Sequence, residues 1–306
     1  MTIAAVFPGQ GAQSVGMLAE LANEYPAVKE RFAEASEVLG FDVWQMVQDG
    51  PAEVLAQTEN TQPLLLTASR AVWDVLQAET DLIPAYAAGH SLGEYSALVC
   101  TGAMAFGDGL RLVRLRGRLM EAAVPRGQGG MAAIMGLADE QISDCCAAVE
   151  GVVVAANFNA PGQVAIAGEI AAVEAAAEAC KAAGAKRAVM LDVSGPFHSP
   201  LMEAAKEEFS SALADTDLTM PSIPVVQNVT ARPAADLEVL RDNLIAQISA
   251  PVLWAQCVGA MVDSGVDQFV ECGPGNVLAG LIRRITKPTP TQTLATPEGI
   301  AAAKSL

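Results

Sequence analysis

Short apolar runs alternate with longer stretches of helical periodicity along most of this chain. "IAAVF" (3–7) has no polar position, the pattern of a strand buried on both faces, and Pro8 and Gly9 stop it. Helical spacing of apolar residues fills most of 17–80, clearest in "PAVKERFAEASEVLG" (26–40) and "TQPLLLTASRAVWDVLQAE" (61–79). "AYAAG" (85–89) predicts a second short strand, 92–104 a helix, and "FGDGLRLVRLRGRLMEAAV" (106–124) another. The texture then changes. "GMAAIMGL" (130–137), "VVVAANF" (152–158), "QVAIAG" (163–168) and "KRAVMLDV" (186–193) predict strands, with helices over 138–149 and 170–184. That β-α-β-β-α-β order is the ferredoxin-like arrangement. Alternation resumes with a helix at 199–214, the strand "IPVVQNV" (223–229), helices at 236–248 and 252–264, the strand "QFVEC" (268–272) and a helix at 276–286. The pattern predicts an α/β fold with a mostly parallel sheet. Its core would span 1–126 and 195–306, with a ferredoxin-like subdomain inserted at 127–194.

Composition supports a large core. The chain has 306 residues, of which 52% are hydrophobic and only 5% aromatic, so its helices pack largely through alanine and aliphatic side chains. The net charge of −17 excludes general binding to nucleic acid or to an anionic membrane surface. Local basic clusters remain, one at Lys181, Lys186 and Arg187, another at Arg283, Arg284 and Lys287. No uncharged apolar run is long enough to cross a bilayer, and the first residues lack the basic flank of a signal peptide. The six cysteines form neither a CxxC pair nor a zinc-ligand spacing; five lie in apolar surroundings and read as buried thiols, in a reduced, cytoplasmic setting.

Three features carry candidate chemistry. "GHSLG" (89–93) joins the second strand to a helix, the context in which G-x-S-x-G holds a serine on a tight turn. Ser91 is therefore a candidate nucleophile, although a serine there could equally be an ordinary helix N-cap. A serine nucleophile needs a base, and the chain has two histidines. His90 adjoins Ser91, and its side chain should point away on a tight turn. His198, in "SGPFHSP" (194–200), is left by elimination. No acid stands out as a third member: Asp192 and Glu271 are possible, and a backbone carbonyl could orient the ring instead. The third feature is Arg116. At about 100° per residue, Arg111, Arg114 and Arg118 share one face of their helix, while Arg116 falls about 140° from Arg111. It sits there among Leu112, Val113, Leu119 and Met120. A buried guanidinium needs an anion, either a protein carboxylate in a structural ion pair or the carboxylate of a substrate.

"VFPGQGAQ" (6–13), "GHSLGEYSAL" (89–98), "RLRGRLM" (114–120), "NFNAPGQVAIAG" (157–168), "GPFHSPLM" (195–202) and "ECGPGNVL" (271–278) together resemble the malonyl-CoA:acyl carrier protein transacylases of bacterial fatty acid synthesis. The matches extend over nearly the whole chain. The resemblance implies an α/β-hydrolase-like core with a ferredoxin-like insert. It implies Ser91 as nucleophile, His198 as base and acid, and Arg116 as the clamp for the malonyl carboxylate. The main-chain N–H groups of Gln10 and Leu92 would form the oxyanion hole, and the main-chain carbonyl of Gln247 would orient the histidine. Phe197 resembles the malonyl-selective pattern of that family. Pro196, where many relatives carry alanine, departs from it. The implied partners are malonyl-CoA and the phosphopantetheine arm of acyl carrier protein, with no metal or redox cofactor required.

A serine esterase or thioesterase would share Ser91 and His198. It would usually place an acid between them in chain order and the histidine after the last core strand, and it has no use for Arg116. A non-catalytic carrier-binding module would leave the serine turn, the histidine and the arginine unexplained together.

Overall fold

A computed structural model describes residues 1–306, and it divides the strands between two sheets. The first contains β1 (Ile3–Phe7), β2 (Tyr86–Gly89), β7 (Val225–Val226), β8 (Gln268–Glu271) and β9 (Thr291–Thr293), in the order β7-β2-β1-β8-β9. Every pairing in it is parallel. The absence of polar positions in β1 has a direct cause: all five residues are buried, because helices cover both faces. Ile3, Ala5 and Phe7 belong to the main apolar core, while Ala4 and Val6 join a second cluster around Trp254 and Phe269. The alternation of side chains along a strand divides them this way.

The second sheet contains β3 (Gly129–Met135), β4 (Val153–Ala160), β5 (Gln163–Glu169) and β6 (Arg187–Met190), ordered β4-β5-β3-β6 and antiparallel throughout. One face packs on the helices Asp139–Ala147 and Ile170–Ala182 through Ala132, Ile134, Val164 and Ile166. The other turns Met131, Ala165 and Ala167 towards the main core. Main-chain bonds between Ala156, Phe158 and Val252 tie β4 to the segment entering the helix Trp254–Asp263.

The structure differs from the expected elements in three places. The strand expected over 223–229 ends at Val226, so Gln227 and Asn228 lie beyond the ladder. The helix expected from 199 begins with a short 3-10 turn at Pro200–Met202 and becomes α-helical only at Ala205–Ala214. Beyond residue 286, β9 and the helix Pro297–Ala303 complete the parallel edge; they carry no periodic signal strong enough to be read from the sequence. No helix is long and apolar enough to cross a membrane.

Candidate active site

The end of β2 turns sharply at Ser91, which adopts φ 50° and ψ −106°. A non-glycine residue at positive φ is strained and is retained where surrounding structure enforces it. Here the enforcement comes from close packing. A Cβ on Gly89 would lie 1.9 Å from the carbonyl carbon of Gly93, and one on Gly93 would lie 2.0 Å from the Phe7 oxygen. Only glycines let the following helix, Leu92–Cys100, start so close to β1 and β2. Ser91 stands at the N-cap of this helix, yet its side chain makes no capping bond. The hydroxyl points into a pocket instead, with Oγ 2.6 Å from Nε2 of His198.

His198 is also held at positive φ, 59°, just before the 3-10 turn, and it is buried. Its Nδ1 lies 2.8 Å from the main-chain oxygen of Gln247. A carbonyl can only accept, so Nδ1 carries the proton and Nε2 presents a lone pair to the Ser91 hydroxyl. Burial, reinforced by the Arg116 cation, pushes the imidazole down to about 3, so the ring is neutral at pH 7. Neither candidate acid reaches it. Glu271 accepts from the N–H groups of Leu278 and Ala279 at the start of the helix Val277–Ile285, and Asp192 is exposed. His90 faces away from the Ser91 hydroxyl. Its Nε2 is 2.7 Å from Asn159 Oδ1, and its ring packs beside Trp254.

Arg116 comes from the helix Phe106–Ala122 and is 1% exposed. The three other arginines of the helix pair at the surface with Asp108, Glu59 and Glu208. Arg116 makes no ion pair. Nη1 donates to Gln62 Oε1 at 2.8 Å; Nη2 donates to Gln247 Oε1 at 2.9 Å and to Ser91 Oγ at 3.2 Å. The guanidinium lies over the ring of Tyr95, and Nε has no partner. The protein carboxylate of a structural ion pair is therefore not in contact with it.

Ser91, His198 and Arg116 meet at one pocket of about 180 Å³ between the two sheets, which Gln10, Leu92 and Phe197 also line. The Gln10 and Leu92 N–H groups donate to no protein acceptor; that of Leu92 is one of the free donors of a helix's first turn. The antiparallel sheet contributes Met131, Asn157, Asn159 and Ala165 to the opposite wall. Pro196 packs its ring where a Cβ on Gly129 would otherwise stand, which fixes the loop bearing Phe197 and His198 against β3.

Beneath the pocket lies a polar layer that the sequence pattern did not reveal. Asn228 Oδ1 accepts from the Ser91 N–H at 2.7 Å, and its Nδ2 donates to the Gly89 oxygen at 2.7 Å, bracing both sides of the turn. Glu94, on the helix after Ser91, is fully buried, and burial pushes its carboxyl up to about 7. An acid inside "LGEYSALVC" is as anomalous as Arg116 on its own apolar stripe, and that anomaly was the available signal. Gln62, set in the apolar run "TQPLLL", offered the same kind.

The arrangement can pass a proton between a serine hydroxyl and a neutral imidazole, hold a developing oxyanion on two main-chain donors, and bind an anion beside the serine. The model of the acyl transferase domain family matches residues 5–297. The chain is 51% identical to the malonyl CoA-acyl carrier protein transacylase of Salmonella typhimurium over 300 residues, 97% of each protein. It superimposes on an acyl carrier protein S-malonyltransferase from Vibrio cholerae with a TM-score of 0.97 at 51% identity, covering 99% of this chain and 100% of that one. A malonyl-transacylase solved in complex with its type II PKS acyl-carrier protein matches at a TM-score of 0.98 and 47% identity, covering 100% of this chain and 99% of that one.

Proposed function

This chain belongs to the acyl transferase domain family and, within it, to the malonyl CoA-acyl carrier protein transacylases, and on that premise we propose how its residues move a malonyl group from coenzyme A to acyl carrier protein. The observation that carries the reading is a buried guanidinium with no protein carboxylate in contact, set 3.2 Å from a serine hydroxyl that is itself 2.6 Å from a neutral histidine.

Malonyl-CoA enters with its carboxylate at Arg116 and its thioester carbonyl over Ser91. Nε2 of His198 takes the hydroxyl proton as Ser91 Oγ attacks the carbonyl carbon. The oxygen that gains charge rests on the N–H groups of Gln10 and Leu92. The carbon–sulfur bond breaks, His198 returns its proton to the departing sulfur, and a malonyl-serine ester remains. The Gln247 carbonyl steadies the imidazolium while it exists. The phosphopantetheine thiol of the carrier then gives its proton to His198, attacks the ester, and leaves as malonyl thioester while Ser91 recovers its proton. Phe197 closes the pocket around an unbranched acyl group. Residues 127–194 act as a subdomain forming the far wall. The setting proposed is fatty acid synthesis in the cytoplasm, consistent with six unbridged thiols. A thioesterase is disfavoured by Arg116 and by the lack of an acid on His198.

Intact mass spectrometry tests the cycle. One malonyl group should add to the protein on mixing with malonyl-CoA and leave on addition of holo carrier protein. Prompt release of free malonate without a carrier would instead identify a hydrolase.

A further inference from the structure

A cation buried without counter-charge is strongly disfavoured, and Arg116 has no carboxylate in contact. The chain supplies one at the remove of a single side chain. Gln247 Oε1 accepts from Arg116 Nη2 at 2.9 Å, while Gln247 Nε2 donates to Glu94 Oε2 at 2.8 Å. Glu94 also accepts from the Asn228 N–H at 2.8 Å and from Gln227 Nε2 at 3.2 Å. The Asn228 main-chain N–H can only donate, and with the Arg116 cation it favours the ionised carboxylate against the burial that pushes Glu94 up to about 7; in that form the carboxylate acts only as acceptor. Together with the Ser91 main-chain oxygen, which accepts from the same Nε2 at 3.1 Å, it fixes which way the Gln247 amide faces. Turned over, the amide would set its N–H₂ against the Arg116 guanidinium and its oxygen against the Glu94 carboxylate, two repulsive contacts in a dry environment.

We propose that Glu94 is a positioning residue for substrate selection: through the oriented amide of Gln247 it balances the charge of Arg116 and holds the guanidinium ready for the malonyl carboxylate. The indirect arrangement has a chemical reason. A carboxylate in direct contact would occupy the forked donors that the substrate needs. An amide spacer keeps the balancing carboxylate one side chain away and leaves the unpartnered Nε uncommitted. The same residue serves the histidine through its main chain, since the Gln247 carbonyl takes His198 Nδ1. Selection and proton transfer thus meet at one turn, the segment that follows the helix Leu237–Ala246.

This inference rests on Arg116 being the carboxylate clamp, and the experiment separates the two. The kcat/KM values for malonyl-CoA and acetyl-CoA are measured on wild type, Arg116→Ala, Glu94→Gln, Gln247→Met and the double variant Glu94→Gln with Arg116→Ala. Glu94→Gln keeps the shape and removes the charge. Gln247→Met keeps the carbonyl that holds His198 and removes the amide, so it carries the test if Glu94→Gln folds poorly. Both should lower the malonyl-to-acetyl ratio by about tenfold or more, as expected for loss of one charge-assisted contact in a desolvated site. In the double variant, Glu94→Gln should add less than about twofold to the malonyl loss already caused by Arg116→Ala, because the relay then has nothing to position. Equal loss with both donors, or costs that simply multiply in the double variant, would overturn the relay and reduce Glu94 to a structural acid. If Arg116→Ala shifts the ratio and neither relay variant does, the relay alone falls. If Arg116→Ala leaves the ratio unchanged, the clamp and the relay fall together.

Discussion

The two sheets face one pocket and bring different things to it. The parallel sheet and its helices deliver every group able to move a proton or hold a charge at Ser91, namely His198, Arg116 and the polar layer of Gln247, Asn228 and Glu94. The antiparallel sheet delivers Met131, Asn157, Asn159 and Ala165, shape and hydrogen-bonding capacity with no titrating side chain. Their burial differs in the same sense. All of β1 is buried, whereas the edge strand β6 exposes Val189 (53%) and Met190 (40%). Reactive geometry is thus built where packing is tightest, with Ser91 and His198 both held at positive φ. The opposite wall is itself buried at Met131, Asn157 and Ala165, and its sheet opens to solvent only towards the edge strand β6, outside the pocket lining. Substitutions in the core should change bond-making steps, and substitutions in the wall or at its rim should change encounter.

The sharpest break would come from Ser91→Ala. It should abolish the covalent malonyl adduct while leaving the thermal melt near that of wild type, because the hydroxyl makes no capping bond to the helix it precedes. An adduct of normal yield on this variant, read by intact mass, would remove the nucleophile from the core altogether. His198→Ala should come next, slowing acylation by roughly two to four orders of magnitude, the usual contribution of a general base. The same residue makes a prediction about pH. Its ring is pushed down to about 3, so it stays an unprotonated base through the range where an ordinary histidine would gain a proton. Single-turnover acylation by acetyl-CoA, which leaves Arg116 without a carboxylate to bind, should therefore show no acid limb near an ordinary histidine's pKa of about 6.5. Activity tied to His198 is lost only as the pH falls towards the depressed value. An acid limb at that ordinary value, removed by His198→Ala, would mean the site is wetter than its packing implies.

Arg116→Ala should follow in size. Losing a charge-assisted clamp in a buried pocket should cost malonyl transfer roughly 2–5 kcal/mol, some thirty- to several-thousand-fold in kcat/KM, with far less effect on acetyl transfer. Arg116→Lys should rescue poorly, since the guanidinium here spreads its donors over Gln62, Gln247 and Ser91, and a single ammonium cannot span that fork. Melting curves recorded alongside separate a lost clamp from a damaged core.

What could be read from the sequence obeys the same division. Ser91 was legible because a strand, two glycines and a helix are all local patterns, and the structure explains both glycines by contacts under 3 Å. Arg116 was legible as an exception to its helical stripe. The role given to the Gln247 carbonyl came from the family resemblance alone, because a main-chain group has no residue signature and is present whatever side chain the turn carries. Asn228 was hidden inside an apparent strand. "VVQNV" continues an apolar pattern, yet the parallel ladder ends at Val226, after which Asn228 and Gln227 turn their side chains to Gly89 and Glu94. Glu94 was legible in principle, by the reasoning applied to Arg116, but an acid in the first turn of a helix reads as favourable to the helix dipole and draws no notice. The last strand, "TQT", is half-exposed at the sheet edge and has no apolar alternation to announce it.

The smallest effects should come from the two basic clusters, and they sharpen the comparison because each region carries one. Arg187 begins the exposed edge strand of the antiparallel sheet and Lys186 immediately precedes it, with Lys181 nearby already paired to Glu178. Arg283 and Arg284 lie in the last turn of the helix Val277–Ile285 on the parallel core, and Arg284 reaches across to Gln163 of β5. A negatively charged partner approaching a protein of net charge −17 must be drawn to local positive charge. Exposed charges of this kind act mainly on encounter and are screened by salt. Reversing Arg187 or Arg283 to glutamate should therefore raise the carrier-protein KM several-fold at low ionic strength, about 1 kcal/mol for a rim charge, and less at high salt. Acylation at saturating malonyl-CoA should be unchanged, since neither side chain lines the pocket. If only Arg187→Glu weakens transfer, the carrier meets the open sheet edge beside Val189 and Met190, and the division between a reactive core and a receiving wall holds for the protein partner as well as for the acyl group. If only Arg283→Glu does, the core both performs the chemistry and receives the carrier, and the wall is left with the acyl group alone.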